Sequence, residues 1–279
     1  MLTEAVVGRP DARLRPWVDR YLGYREDAPA PLVRREVAGA FVVLILGWGD
    51  PLDVHDPRAT DRGTSGNAFL AGPFDGWCAT RTAGTGVGVQ VVLTAPAARR
   101  VLGLPLGELA NRVVPVDRVA GWLTDLRDAL AGAAGWAERF ARLDAALAAR
   151  LAATDPVDGR LRAAWRRLDV SGGAVGVAAL ADEIGWSRRH LAVRFRQEFG
   201  LPPRTVARLL RFERAYAGLG RTVLTVPAAG AGGAGWAERA ARWGYYDQSH
   251  LIREFQAFAG ATPAVLARRT AGSHPSYPG

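Results

Sequence analysis

Apolar positions recur with helical spacing through the second half of the chain. Val177, Leu180, Ala181 and Ile184 fall at i, i+3, i+4 and i+7, the stripe of a helix with one buried face. Gly185 follows, suited to a tight turn, and then Ser187, a residue able to cap the next helix. In that next helix Leu191, Phe195 and Phe199 point inward, which leaves Arg188, Arg189, Ala192, Val193 and Arg196 facing out. Sixty positions on, the design returns. Trp236, Ala240 and Trp243 supply a stripe, Gly244 a turn one residue longer, and Asp247 the cap. Leu251, Phe255 and Phe258 are the inward anchors, with Gln248, Ser249, Ile252, Arg253 and Gln256 outward. His190-Leu191, Phe195 and Gly200 thus recur as His250-Leu251, Phe255 and Gly260, and a proline follows each unit at Pro202 and Pro263. The pattern predicts two helix-turn-helix units in tandem.

Between them, Val206, Leu209, Leu210 and Phe212 predict a connecting helix over 204–219, with Arg204, Arg208, Arg211 and Arg214 largely on its other faces. About 16 residues at 1.5 Å each span roughly 24 Å. With the widths of the flanking units added, the outward helices stand about one turn of DNA apart, near 34 Å. Arg and Gln pair bidentately with guanine or adenine edges in a major groove. Such a surface is suited to reading double-stranded DNA.

The first half reads differently. Residues 32–95 are expected to be β-rich: Ala40–Leu46 is an apolar run, Gly86–Leu93 a second strand, Asn67–Ala71 and Trp77–Thr80 shorter ones. Gly and Pro punctuate them as in an all-β barrel or sandwich. The chain then turns helical, with one stripe at Val119, Trp122, Leu123, Leu126 and Leu130 and another at Phe140, Leu143, Leu147 and Leu151. These helices either cover an open side of the barrel or form a seam for a second subunit. Thr154–Gly159 is the linker candidate, after which Leu161, Ala164, Trp165 and Leu168 open the next helix. The expected class is α+β, with a β-rich domain over 1–155, an all-α domain over 156–271 and a disordered tail over 272–279.

Three stretches resemble the arabinose-regulator (AraC/XylS-type) family of transcription factors: Ala179–Leu191, Arg208–Ala215 and Gly244–Phe255, with Gly260-Ala-Thr-Pro263 similar to the family's closing turn. The resemblance covers about the last 110 residues, and Gln90–Gly103 resembles a subset of such regulators. It implies a seven-helix DNA-binding domain with two reading helices joined by a long one. By position, Arg189, Ala192 and Val193 would face bases in the first, and Gln248, Ser249, Ile252 and Arg253 in the second. For the N-terminal half it implies a small cupin-like barrel that senses a ligand. The partners implied are double-stranded DNA, a small-molecule effector, RNA polymerase and a homodimer, with no cofactor. Two features depart from the family pattern. Ala192 and Val193 stand where polar or basic residues are common, which favours contact with thymine methyls or reading of shape. Pro227–Gly235 resembles an insertion, whose glycine-rich composition is that of a flexible linker or a loop extruded from a rigid junction.

Charge sharpens the picture. Residues 1–155 carry 18 arginines against 18 carboxylates, whereas residues 156–279 carry 18 against 9, so the whole formal charge of +9 belongs to the second half. That is the footprint expected for phosphate contacts. There is no lysine. A single cysteine, Cys78, excludes an intrachain disulfide framework and a cysteine-based zinc site, and a reducing cytoplasm fits. The first ten residues lack the order of a signal peptide, and no uncharged apolar run reaches membrane-spanning length.

Rival readings attach to particular residues. His55 is the one histidine of the first half, too few for the metal site of a cupin enzyme. Cys78 reads either as a nucleophile, in an enzyme such as a DNA-alkylation repair protein, or as a small buried hydrophobe. Trp48, Phe69, Phe74 and Trp77 read either as a ligand pocket or as core. His190 and His250, beside buried leucines, are expected to pack or touch phosphate, and His274 carries no metal role. A module that holds DNA without sequence preference is a third possibility.

Overall fold

The computed structural model describes residues 2–27, 29–59, 63–220 and 235–271. The strands are β1 (Leu2–Gly8), β2 (Val18–Asp27), β3 (Leu32–Glu36), β4 (Phe41–Gly47), β5 (Leu52–His55), β6 (Thr64–Gly66), β7 (Ala68–Ala71), β8 (Cys78–Thr82), β9 (Thr85–Thr94) and β10 (Val113–Pro115). Helix α1 (Ala95–Leu102) follows β9, and α2 (Gly121–Ala131) and α3 (Trp136–Ala153) follow β10. The remaining seven are α4 (Gly159–Ser171), α5 (Val177–Glu183), α6 (Arg188–Phe199), α7 (Pro203–Ala217), α8 (Trp236–Arg242), α9 (Gln248–Ala259) and α10 (Pro263–Ala271). The expected α+β class is observed, a β-rich half followed by a helical one. The proposed insertion, up to residue 234, and the 272–279 tail lie outside the described residues.

Two antiparallel sheets build the first half, in the orders β1-β2-β9-β4-β7-β10 and β3-β8-β5-β6. Strand β4 shows why its sequence is apolar throughout. Val42, Leu44 and Leu46 join the core that includes α1, α2 and α3, whereas Val43 and Ile45, with Phe69 of the neighbouring β7, pack with Phe74 and with Val54 and Cys78 of the second sheet. Successive side chains point to opposite faces, so a strand covered on both sides has no polar position to spare. The expected strands are found at β4, β7, β8 and β9. Strands β1 and β2 fall before residue 32, outside the stretch expected to be β-rich. Acidic and basic residues break their alternation, and even Glu26 is buried on β2 beside Val18, Tyr21 and Leu22.

Helix α1 is a further element that the sequence pattern does not mark. Thr94 ends β9 and accepts from the Ala97 N–H, so one residue closes a strand and caps a helix. Leu123, Leu126 and Leu130 of α2 and Leu143, Leu147 and Leu151 of α3 are buried within the chain. Phe140 stacks on Tyr21, and the Tyr21 hydroxyl donates to Asp144 at 2.8 Å. The two stripes cover the chain's own sheet, which leaves no protruding apolar seam on them. Val119, expected within the first stripe, precedes α2 at the end of a 3-10 turn.

The helical half is packed around α7. Phe212 makes edge contacts with Phe255 and Phe258 of α9, while Trp165 of α4 stacks on Phe195 of α6. The β-rich half touches this core directly. Glu213 on α7 is 5% exposed, and its carboxylate accepts from the Ala40 N–H at 3.2 Å. Burial pushes this carboxyl up to about 8, against the Ala40 hydrogen bond and with help from the charge of Asp169.

The folded chain therefore holds a proton on Glu213 that the unfolded chain has already lost. Its contribution to stability is full below the ordinary carboxyl value near 4.5 and is lost as pH rises to about 8. The size is on the order of a few kcal/mol. Replacing Glu213 by Gln, which keeps an acceptor for Ala40, is expected to flatten stability over that interval. Urea midpoints measured across it check this, and an undiminished slope in Glu213→Gln contradicts it.

Candidate nucleic-acid interface

Helices α6 and α9 are the second helices of two matching units. Each begins on a residue that its sequence position predicts. Ser187 accepts from the His190 N–H at 3.2 Å, and Asp247 from the His250 N–H at 2.6 Å. The turns before them hold Gly185 at φ +69° and Gly244 at φ +77°, left-handed conformations that any side chain would strain. Leu191, Phe195 and Phe199 are fully buried on α6, as are Leu251 and Phe255 on α9, with Phe258 at 1% exposure. Burial of that face settles which side chains face away from the core.

Those side chains are the expected ones. Arg188, Arg189, Val193 and Arg196 are exposed on α6, with Ala192 half-buried beside them. Gln248, Ser249 and Arg253 are exposed on α9, with Ile252 half-buried. Val193 stands out at 59% exposure. Among the described residues, Arg188, Arg189, Arg196 and Arg253 have no side-chain hydrogen bond or ion pair within the chain. Their guanidinium groups keep all donors available, which suits phosphate oxygens or guanine edges.

The arginines of the connecting helix divide differently. Arg208 donates to Glu254 at 2.7 Å, Arg211 to the Gly173 carbonyl at 3.3 Å and Arg214 to the Ser171 carbonyl at 3.0 Å. Three of the four arginines set aside on outer faces are thus engaged internally, and Arg204 remains exposed. Periodicity places a residue on a face of its own helix but does not say what packs against that face.

A support for α9 escaped the sequence. Glu254 is 3% exposed, on the buried side of the helix, where it meets Arg208 and lies 3.5 Å from His250 Nε2. The His250 ring stands edge-on to Tyr245, whose hydroxyl burial pushes well above the usual tyrosine range. His190 packs in the same way against Trp186, at 4.5 Å between centroids. Both histidines thus pack near the start of their helices, α6 and α9. The one signal was a carboxylate three positions after Leu251 in an apolar stripe.

The aromatic candidates of the first half do not converge. Phe69 and Phe74 are core with Cys78. Trp48 lies under the Arg139 guanidinium, and Trp77 under that of Arg35. Cys78 is 7% exposed, and burial pushes its thiol up to about 12. No group of three His, Cys, Asp or Glu able to hold a metal occurs among the described residues, and no described helix is long and apolar enough to cross a membrane.

Two capped helices, each exposing a basic or polar face beyond a glycine turn, define a DNA-binding helix-turn-helix protein. Residues 180–269 match the family model of a helix-turn-helix domain. This segment is of the arabinose-regulator (AraC) type, and the chain that carries it is a DNA-binding transcription regulator. Among solved structures, ToxT from Vibrio cholerae is similar over 89% of this chain and 97% of its own, at 10% identity and a TM-score of 0.49. The C-terminal domain of AraT, a response regulator from Geobacillus stearothermophilus, is similar over 45% of this chain and 95% of its own, at 18% identity and a TM-score of 0.35. No curated protein matches the chain.

The side-chain cap of α9 is open to a direct check. Asp247→Ala is expected to lower the free energy of unfolding by about 1 kcal/mol, and Asp247→Asn, which retains an acceptor, by less. Urea denaturation measures both, and equal losses would show that the cap hydrogen bond is not what Asp247 contributes.

Proposed function

We propose that this protein reads a specific DNA sequence with two helices and adjusts that reading through its N-terminal half. One observation carries the proposal: both helices are anchored on one face and leave arginine and glutamine without internal partners on the other. Arg188, Arg189, Ala192, Val193 and Arg196 form the first reading face, and Gln248, Ser249, Ile252 and Arg253 the second. Phosphates are held by arginine and by the helix N-termini. Base edges are read by the remaining outward positions, with Ala192 and Val193 suited to thymine methyls.

The division of labour follows the sequence, with a regulatory domain over 1–155 and a DNA-binding domain over 156–271. A small-molecule effector has a suitable place beside their junction. A cleft of about 430 Å³ is lined by Leu104, Leu109, Val114 and Val119 together with Glu108, Arg118 and Gln197 of α6. Its volume falls within the range of small-ligand sites, and both apolar and charged side chains line it. RNA polymerase and a second copy of the chain complete the proposed partners, in the cytoplasm.

The enzymatic alternative has little to draw on. A thiol nucleophile must reach its substrate as thiolate, and the burial and raised pKa of Cys78 oppose both requirements. Cys78→Ser is expected to leave DNA binding unchanged.

Affinity for the chain's own promoter region, compared with random duplex at fixed salt, tests specificity. A ratio near one overturns the proposal. Once a site is known, Arg253→Ala is expected to cost about 1–3 kcal/mol on it and little on random duplex. Equal weakening on all sequences would make Arg253 a phosphate contact instead.

A further inference from the structure

The last carbonyls of any helix lack partners within it. In α6 and α9 they are met in the same way, by the same foreign body. In each, the glycine after the helix bonds back to the carbonyl four residues before it: Gly200 to Arg196 at 2.9 Å, Gly260 to Gln256 at 3.0 Å. The next two carbonyls of each helix accept from backbone N–H groups of the β-rich half. On α6, Gly107 donates to Gln197 at 3.0 Å and Leu106 to Glu198 at 3.2 Å. On α9, Trp77 donates to Ala257 at 3.4 Å and Ala38 to Phe258 at 2.8 Å. Gln197 and Glu198 occupy the repeat positions of Ala257 and Phe258.

An arginine from the same half reinforces each end. Arg99 donates to Glu198 at 2.6 Å, and Arg35 to the Gly260 carbonyl at 2.6 Å. Positive charge belongs at a helix C-terminus, where the carbonyl dipoles converge. The fit is close at both. A Cβ on Gly200 would come within 3.2 Å of the Leu106 carbonyl oxygen, and one on Gly260 within 2.8 Å of the Trp77 ring.

We infer that the N-terminal half is a bracket that sets the angle and separation of the two reading helices, with Arg35 and Arg99 as positioning residues. The inference rests on the DNA-reading role proposed above. Its physical basis is leverage. A helix of 12 residues is about 18 Å long, so a tilt of about 10° at one end moves the other by roughly 3 Å. That is close to one base-pair step. Holding both C-terminal ends on one rigid frame therefore selects the number of base pairs between two half-sites. A domain that gripped only one helix would leave the other free to adapt.

The test uses the full chain and duplexes it selects from a randomised pool. Their two half-sites are then respaced by one or two base pairs either way. Wild type is expected to lose at least about tenfold in affinity for each base pair added or removed. Arg35→Ala and Arg99→Glu are expected to keep their affinity for a single half-site but to lose less than about threefold on respacing. Pairing Arg99→Glu with Glu198→Arg restores the ion pair in reverse and is expected to restore the wild-type profile. Arg35 is exposed, so Arg35→Ala keeps the test valid should Arg99→Glu fail to fold. If wild type selects sites and every variant keeps its spacing profile, the bracket is overturned and the DNA-reading role stands. If wild type selects no sequence at all, both fall.

Discussion

A helix can offer a duplex only the face its own protein does not need. On α6 and α9 that division is enforced by three large apolar anchors each, buried essentially to completion. Withdrawing a Leu or Phe side chain from water contributes about 1.5–3 kcal/mol. Rotating either helix to bring a different face outward would expose all three anchors together. The outward set is thereby held as firmly as the core, although none of its members contributes to that core.

The anchors fix rotation about the helix axis but leave tilt and separation less determined. Those fall to contacts at the helix ends. At the N-termini, Ser187 and Asp247 close the turn locally. At the C-termini the partners come from far away, from loops of the β-rich half and from two arginines on its surface. The contact between the halves is therefore more than a covered boundary. It satisfies carbonyls at the C-terminal ends of both helices that have no partner within the helix.

Glu213 and Glu254 show the electrostatic side of the same arrangement. Both are carboxylates on buried helix faces, yet they are handled differently. Glu254 has the guanidinium of Arg208 and lies close to His250, which ties α7 to α9. Glu213 accepts from one backbone N–H and, among the described residues, meets no cation that lowers it, so burial favours its neutral form. The first joins two elements of the DNA-binding half. The second sits where that half meets the other.

Much of the outward face of α6 and α9 was legible in the residues alone, because its determinants are local. Periodicity of three and four, a glycine at positive φ and a capping oxygen three residues before its N–H all act within one or two turns. Repetition of the whole set after 60 positions made the duplication plain. The strands before residue 32, the fate of Arg208, Arg211 and Arg214, and the uses of Trp48 and Trp77 were hidden, since each depends on what packs against it. Most hidden of all was the docking of the two halves. Arg35 meets a carbonyl 225 positions away and Arg99 a carboxylate 99 away, while the donors at Ala38, Trp77, Leu106 and Gly107 are backbone groups common to every residue but proline. Which side chains α6 and α9 turn outward was written in residues close in sequence. How the two helix ends are joined to the β-rich half was decided by the tertiary structure, through main-chain hydrogen bonds and two arginines whose partners lie far away in sequence.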